Sequence, residues 1–170
     1  MKSQNTKLLF ARNIIFGIED SLVSTVGLLS GISVAGAERG IIILAGIVLI
    51  FVEATSMGIG SYISEHSAEH MLRKEHVPLK LYFKAGALMF ISYFIAGFVP
   101  LSPYLFSTGQ ISFVLSIVFA LVALFSLGLC SAKYFKINRL HHSLEVLILG
   151  GLAVAIGVIV GTVLNNYMSI

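Results

Sequence analysis

Five apolar stretches, each long enough to cross a bilayer, occupy most of this chain. They run over residues 14–35, 41–63, 81–99, 111–132 and 144–164, and a helix needs about 20 mostly apolar residues to span roughly 30 Å of hydrocarbon. Inside lipid every backbone N–H and C=O must be satisfied within the protein, so such segments are helices. The expected fold is all-α: an integral membrane protein of five transmembrane helices, forming a single transmembrane domain over residues 1–170. Composition agrees, since 57% of residues are hydrophobic and 11% charged, against about 25% charged in a soluble domain. A chain this apolar is not held in disorder by charge either.

The connections are short. Gly36–Gly40 turns the chain between the first two spans, and Pro100-Leu101-Ser102-Pro103 is read as the end of the third helix. Ser143 is the expected N-cap of the fifth helix, with Glu145 in its first turn. No short apolar region with a small-residue cleavage site precedes the first span, so that span is expected to persist in the mature protein. With the N-terminus in the cytoplasm, ten of the eleven basic residues fall on the cytoplasmic side and only Arg39 outside. The positive-inside rule therefore predicts a cytoplasmic N-terminus and an external C-terminus. An odd number of spans leaves no room for two inverted repeats in one chain, so two-fold symmetry would come from a dimer. The net charge of +3 is spread over the connecting segments without a basic stripe, and no nucleic-acid partner is expected. Cys130 is the single cysteine and can form neither an internal disulfide nor a thiolate cluster.

Three of the eight acidic residues, Glu19, Asp20 and Glu53, lie inside spans. A charge at the bilayer centre costs at least ~2.5–3.5 kcal/mol, so such groups face a protein interior or a wet cavity. Asp20 follows Arg12 by eight residues and Glu53 precedes Ile63 by ten, about 12 Å and 15 Å of helix rise. Two antiparallel helices thus bring Asp20 and Glu53 to similar depth. Met57, one turn from Glu53, and Ser61 and Ser64 continue that face. Glu19 points about 100° away from Asp20 and is read as lying toward the headgroups or pairing locally. Carboxylate oxygens with a thioether suit a first-row transition ion such as Fe²⁺. A carboxylate out of water is poorly tolerated as a bare anion, so the group that releases a metal can take up a proton. After the second span, Glu65-His66 and Glu69-His70 recur at i, i+4 and form a carboxylate and imidazole ridge able to capture ions, followed by Glu75 and His76. His141-His142 are read as marking the membrane interface. Two GxxxG elements, Gly27–Gly31 and Gly157–Gly161, are read as ordinary helix packing within the chain.

Several of these segments resemble the vacuolar iron transporter family. Ile15-Phe16-Gly17-Ile18-Glu19-Asp20-Ser21-Leu22-Val23-Ser24-Thr25-Val26-Gly27 is similar to its first-helix signature, and Ser56-Met57-Gly58-Ile59-Gly60 to its second-helix Ser-Met-x-x-Gly motif. Gly97–Leu105 resembles the end of its third helix, and Leu149–Gly161 its last. The resemblance implies a five-helix protomer in a homodimer, with a ferrous-ion path between subunits and export from the cytoplasm driven by inward proton movement. It also implies Asp20 and Met57 as path ligands and Mn²⁺ as a further cargo. The chain looks like a short form: the long metal-binding insertion after the second span is absent, and Ser61 stands where many members carry an acid. Glu53 is the candidate replacement.

The expected function is export of Fe²⁺ or Mn²⁺ by proton antiport, with Asp20, Glu53, Met57, Glu65, His66, Glu69 and His70 as candidate ligands. No resident cofactor is expected; the divalent metal is cargo and H⁺ the counter-ion. The expected partners are a second copy and the lipid bilayer, in a plasma membrane if the source is prokaryotic and a vacuolar-type membrane if it is eukaryotic. The alternative is a non-transporting membrane protein that binds metal or a partner through the Glu/His loop. No nucleophile or acid/base pair assembles at matching depth, so an enzyme is not expected.

Overall fold

A computed structural model describes the backbone of residues 2–72 and 79–168 and the side chains of residues 6–68 and 79–167. It contains five helices: α1 (Lys2–Val34), α2 (Arg39–Leu72), α3 (Leu79–Phe106), α4 (Gln110–Phe135) and α5 (Arg139–Met168). All five are long and apolar enough to cross a membrane, and the described residues hold no strand. The protein is a multi-pass membrane protein of all-α fold. The helices outrun the sequence-predicted spans because their polar ends, such as Lys7 and Arg12 of α1 or Glu65 of α2, continue the same backbone ladder beyond the apolar stretch.

The third helix departs from expectation, since α3 runs through Pro100 and Pro103 to Phe106. A proline removes the helical bond to the carbonyl four residues back, so Pro103 frees the carbonyl of Val99. Ser102 Oγ donates to that oxygen at 2.8 Å, a side-chain repair of the kind that lets proline persist in membrane helices. Ser116 of α4 donates to the Pro100 carbonyl at 2.7 Å. At the helix end Arg39 donates from Nε to Tyr104 O and from Nη2 to Leu105 O, both at 2.7 Å. These are carbonyls without an intrahelical partner, so Arg39 caps α3 from the first residue of α2.

The start of α5 is a second correction. Asn138, not Ser143, stands at the N-cap position: its Oδ1 accepts from His141 N–H at 3.4 Å. Ser143 lies within the helix, donating to the Arg139 carbonyl at 2.7 Å, and is buried against Gly128 of α4. A small hydroxyl suits that close helix contact, which the cap reading overlooked. Glu145 consequently sits beyond the first turn and pairs with His141 at 3.2 Å and His142 at 3.6 Å.

Helix α1 touches all four others, while α2–α3, α3–α4 and α4–α5 pack in chain order. Among the described residues α2 and α5 make no contact, which leaves one side of α1 uncovered between them. Two apolar clusters hold the bundle: Leu29, Ile42, Ile50, Leu101 and Tyr104 join α1, α2 and α3, and Leu22, Ala96, Leu124 and Val146 join α1, α3, α4 and α5. The two GxxxG elements pack on each other. A Cβ built on Gly157 meets the carbonyl of Gly27, and one on Gly161 meets the carbonyl of Gly31. Only glycine permits backbones this close, and in lipid such contact replaces the hydrophobic drive that water would supply.

Candidate functional site

Helix α2 carries Glu53, Met57, Ser61 and Glu65 at successive steps of four residues, which stacks them in one stripe along the helix. This stripe faces α1. A cavity of about 500 Å³ lies between the two helices, walled by Arg12, Asn13, Phe16 and Glu19 of α1 and by Met57, Gly60, Ser61, Ser64 and Glu65 of α2. Ile15 of α1, Met89 of α3 and Phe135 of α4 complete the lining. Among the described residues none of α5 lines the cavity.

Deeper along the same contact, Asp20 of α1 and Glu53 of α2 are close enough for their charges to interact. Tyr93 of α3 is within electrostatic range of both carboxylates. Its ring is fully buried and its hydroxyl is fixed by Ser24 Oγ at 2.6 Å, while Ser21 Oγ donates to the Tyr93 carbonyl at 2.6 Å. The residues Ser21 and Ser24 that surround Asp20 on α1 therefore serve to hold Tyr93. Gly97 of α3 helps the approach, since a Cβ there would stand 3.0 Å from Ser21 Oγ.

Placement of the remaining candidates is mixed. Glu65 lines the cavity, whereas His66 turns toward α3, its ring stacked on Tyr62 at 6.2 Å between centroids and edge-on to Tyr82 at 5.4 Å. The side chains of Glu69 and His70, and all of Glu75 and His76, lie outside the described residues. Glu19, read from the sequence as lying toward the headgroups or pairing locally, belongs to the cavity wall, in electrostatic reach of His142 of α5 and of Asp20. Asn13 and Tyr93 were missed altogether. Asn13 is 5% exposed and bridges α1 to α2, accepting from Ser61 Oγ at 2.5 Å and donating to Leu9 O at 3.0 Å. Its signal in the sequence was a lone asparagine at the start of an apolar run.

Among the described residues no three His, Cys, Asp or Glu side chains converge on one point that could hold a metal ion. One copy offers a line of single candidate ligands: Asp20 and Glu53 within electrostatic range of each other, then Glu19, Met57 and Glu65 in the cavity wall.

The chain matches the model of the VIT family over residues 11–80 and 68–162. It is 24% identical to vacuolar iron transporter 1 of Arabidopsis thaliana, covering 85% of this chain and 82% of that protein. The match to vacuolar iron transporter 1 of Oryza sativa subsp. japonica is also 24%, over 85% and 81% of the two chains. A shorter match, 41% identical over 64 residues, is to a vacuolar iron transporter of Centaurea cyanus and covers 37% of this chain and 26% of that one.

Proposed function

This chain belongs to the VIT family, and on that premise we propose that it exports Fe²⁺ from the cytoplasm, with Mn²⁺ as a second cargo, in exchange for protons. The observation that carries the reading is that Asp20 and Glu53 lie within electrostatic range of each other, Asp20 next to Glu19 and Glu53 one turn before Met57, two residues of the cavity wall. Two carboxylates within electrostatic range in a low-dielectric setting repel when both are ionised. A divalent cation between them relieves that repulsion, and so does a proton. Cation and proton therefore compete for the same oxygens, which is the chemical requirement of an exchanger. The Met57 thioether favours a softer first-row ion over Mg²⁺ or Ca²⁺.

The described residues of a single chain supply too few convergent ligands for a divalent transition ion. In a homodimer with α1 and α2 facing their counterparts across a two-fold axis, Asp20, Glu53 and Met57 would each appear twice around one path. The uncovered side of α1 between α2 and α5 leaves space for such a partner. The charge distribution of the connecting segments supports loading from the side that holds the N-terminus, with the cavity as the cytoplasmic entrance. Glu65 and Glu19 there attract the cation before it meets the deeper pair.

Reconstituted protein in liposomes with an acidic lumen tests the reading. Fe²⁺ supplied outside should accumulate faster than without the gradient, Mn²⁺ should follow, and Mg²⁺ should not. Uptake indifferent to the gradient would remove the antiport, and equal movement of Mg²⁺ would remove the role of Met57.

A further inference from the structure

On the far side of α2 from the ion path lies a second recess. Thr55, Ile59 and Tyr62 stand roughly 180–240° around the helix from Glu53, and with Phe83, Ala87 and Ile91 of α3 they wall a groove of about 570 Å³. Its floor is the close crossing of α2 and α3, where a Cβ on Gly58 would stand 3.1 Å from the carbonyl of Gly86. The lining is almost wholly apolar. A smaller recess of about 400 Å³ continues from it toward the start of α3, sharing Tyr62 and Phe83 and adding Leu79, Lys80 and Lys84.

The two lysines are one turn apart on one face of α3 and exposed. Among the described residues no acidic side chain lines either recess. From Lys80 to Ile91 the helix rises about 16 Å, close to the roughly 15 Å hydrocarbon depth of one leaflet. A cationic pair at the mouth, an amphipathic tyrosine ring beside it and an apolar slot one leaflet deep match one ligand class in charge, length and polarity. We propose that this groove binds an anionic glycerophospholipid, its phosphate held by Lys80 and Lys84 and an acyl chain lying between α2 and α3. A zwitterionic lipid fits the slot equally but brings its own cation against the lysines, so the headgroup charge decides. The site is independent of the ion path and does not require the transport reading.

Native mass spectrometry of the purified full chain in neutral detergent tests it, with phosphatidylglycerol and phosphatidylcholine of identical acyl chains added in equal amounts. The wild type should retain phosphatidylglycerol on the order of ten-fold over phosphatidylcholine. The double variant Lys80→Gln, Lys84→Gln, at two exposed positions, should bring the two lipids to parity, and Ala87→Phe, which narrows the slot, should reduce retention of both. Equal retention by the wild type, or a preference that survives the double lysine variant, would overturn the proposal. So would undiminished lipid retention by a folded Ala87→Phe protein, checked by its melting temperature.

Discussion

Ser61 of α2 donates a hydrogen bond of 2.5 Å to the side-chain carbonyl of Asn13 on α1, joining the two walls of the cavity near its mouth. Interhelical hydrogen bonds in membranes average about 0.6 kcal/mol and reach about 1.7, so this one matters more for register than for stability. It fixes which turn of α1 faces which turn of α2, and thereby the depth at which Asp20 meets Glu53.

That register is testable by cross-linking. In a Cys130→Ser background, which removes the exposed native thiol, Asn13→Cys with Ser61→Cys should oxidise to a bond within one chain, read as a monomer of altered mobility on a denaturing gel. A product only between chains, or none under oxidant, would contradict the α1–α2 pairing.

Packing of the two GxxxG elements predicts a sharp contrast between glycines of α5. Gly157→Val drives a side chain into the Gly27 backbone, while Gly151 has open space around its Cβ position. Overpacking costs about 1–3 kcal/mol and more where backbone blocks relief. Gly157→Val should lower the melting temperature in detergent by several degrees, and Gly151→Ala should leave it unchanged or raise it. Equal effects would deny the close α1–α5 contact.

Tyr93 predicts a functional loss without a structural one. Tyr93→Phe keeps the buried ring but removes the hydroxyl bound to Ser24 beside Asp20 and Glu53. Fe²⁺ uptake should fall about three- to ten-fold, the worth of one such bond, at near-wild-type melting temperature. Ser24→Ala should act in the same direction, and the two changes together should add little to either alone. Full uptake by Tyr93→Phe would place the hydroxyl outside the path.

Replacing the thioether should alter preference more than rate. Met57 lines the cavity one turn from Glu53, and Met57→Leu preserves volume while removing sulfur. Competition assays should show the advantage of Fe²⁺ over Mn²⁺ reduced several-fold, because Mn²⁺ relies on oxygen ligands. An unchanged ratio would assign Met57 to packing.

The spans were legible because hydrocarbon imposes one requirement on every residue of a crossing segment, and a run such as residues 111–132 can meet it only as a helix. The prolines of α3 were misjudged because their repair comes from Ser102 one residue away and from Ser116 and Arg39 on other helices, which local sequence rules do not see. Asp20 and Glu53 could be paired from helix rise alone, since depth follows from residue counting. Facing does not: the place of Glu19 and His66 on an isolated helix does not reveal the cavity beside Glu19 or the Tyr82 ring against His66, which depend on the neighbours of α1 and α2. Tyr93 gave no signal, because a tyrosine in an apolar helix reads as core until Ser24 is found at its hydroxyl.

The central claim is that Asp20 and Glu53 hold cation and proton by turns. Proteoliposomes with an acidic lumen and a trapped pH indicator read both species at once. Wild-type protein should take up Fe²⁺ while the lumen loses protons, with loading suppressed as the outside is made acidic enough to protonate the carboxylates. Asp20→Ala should abolish both signals. Fe²⁺ uptake by Asp20→Ala equal to wild type, with no pH dependence in either protein, would contradict the account.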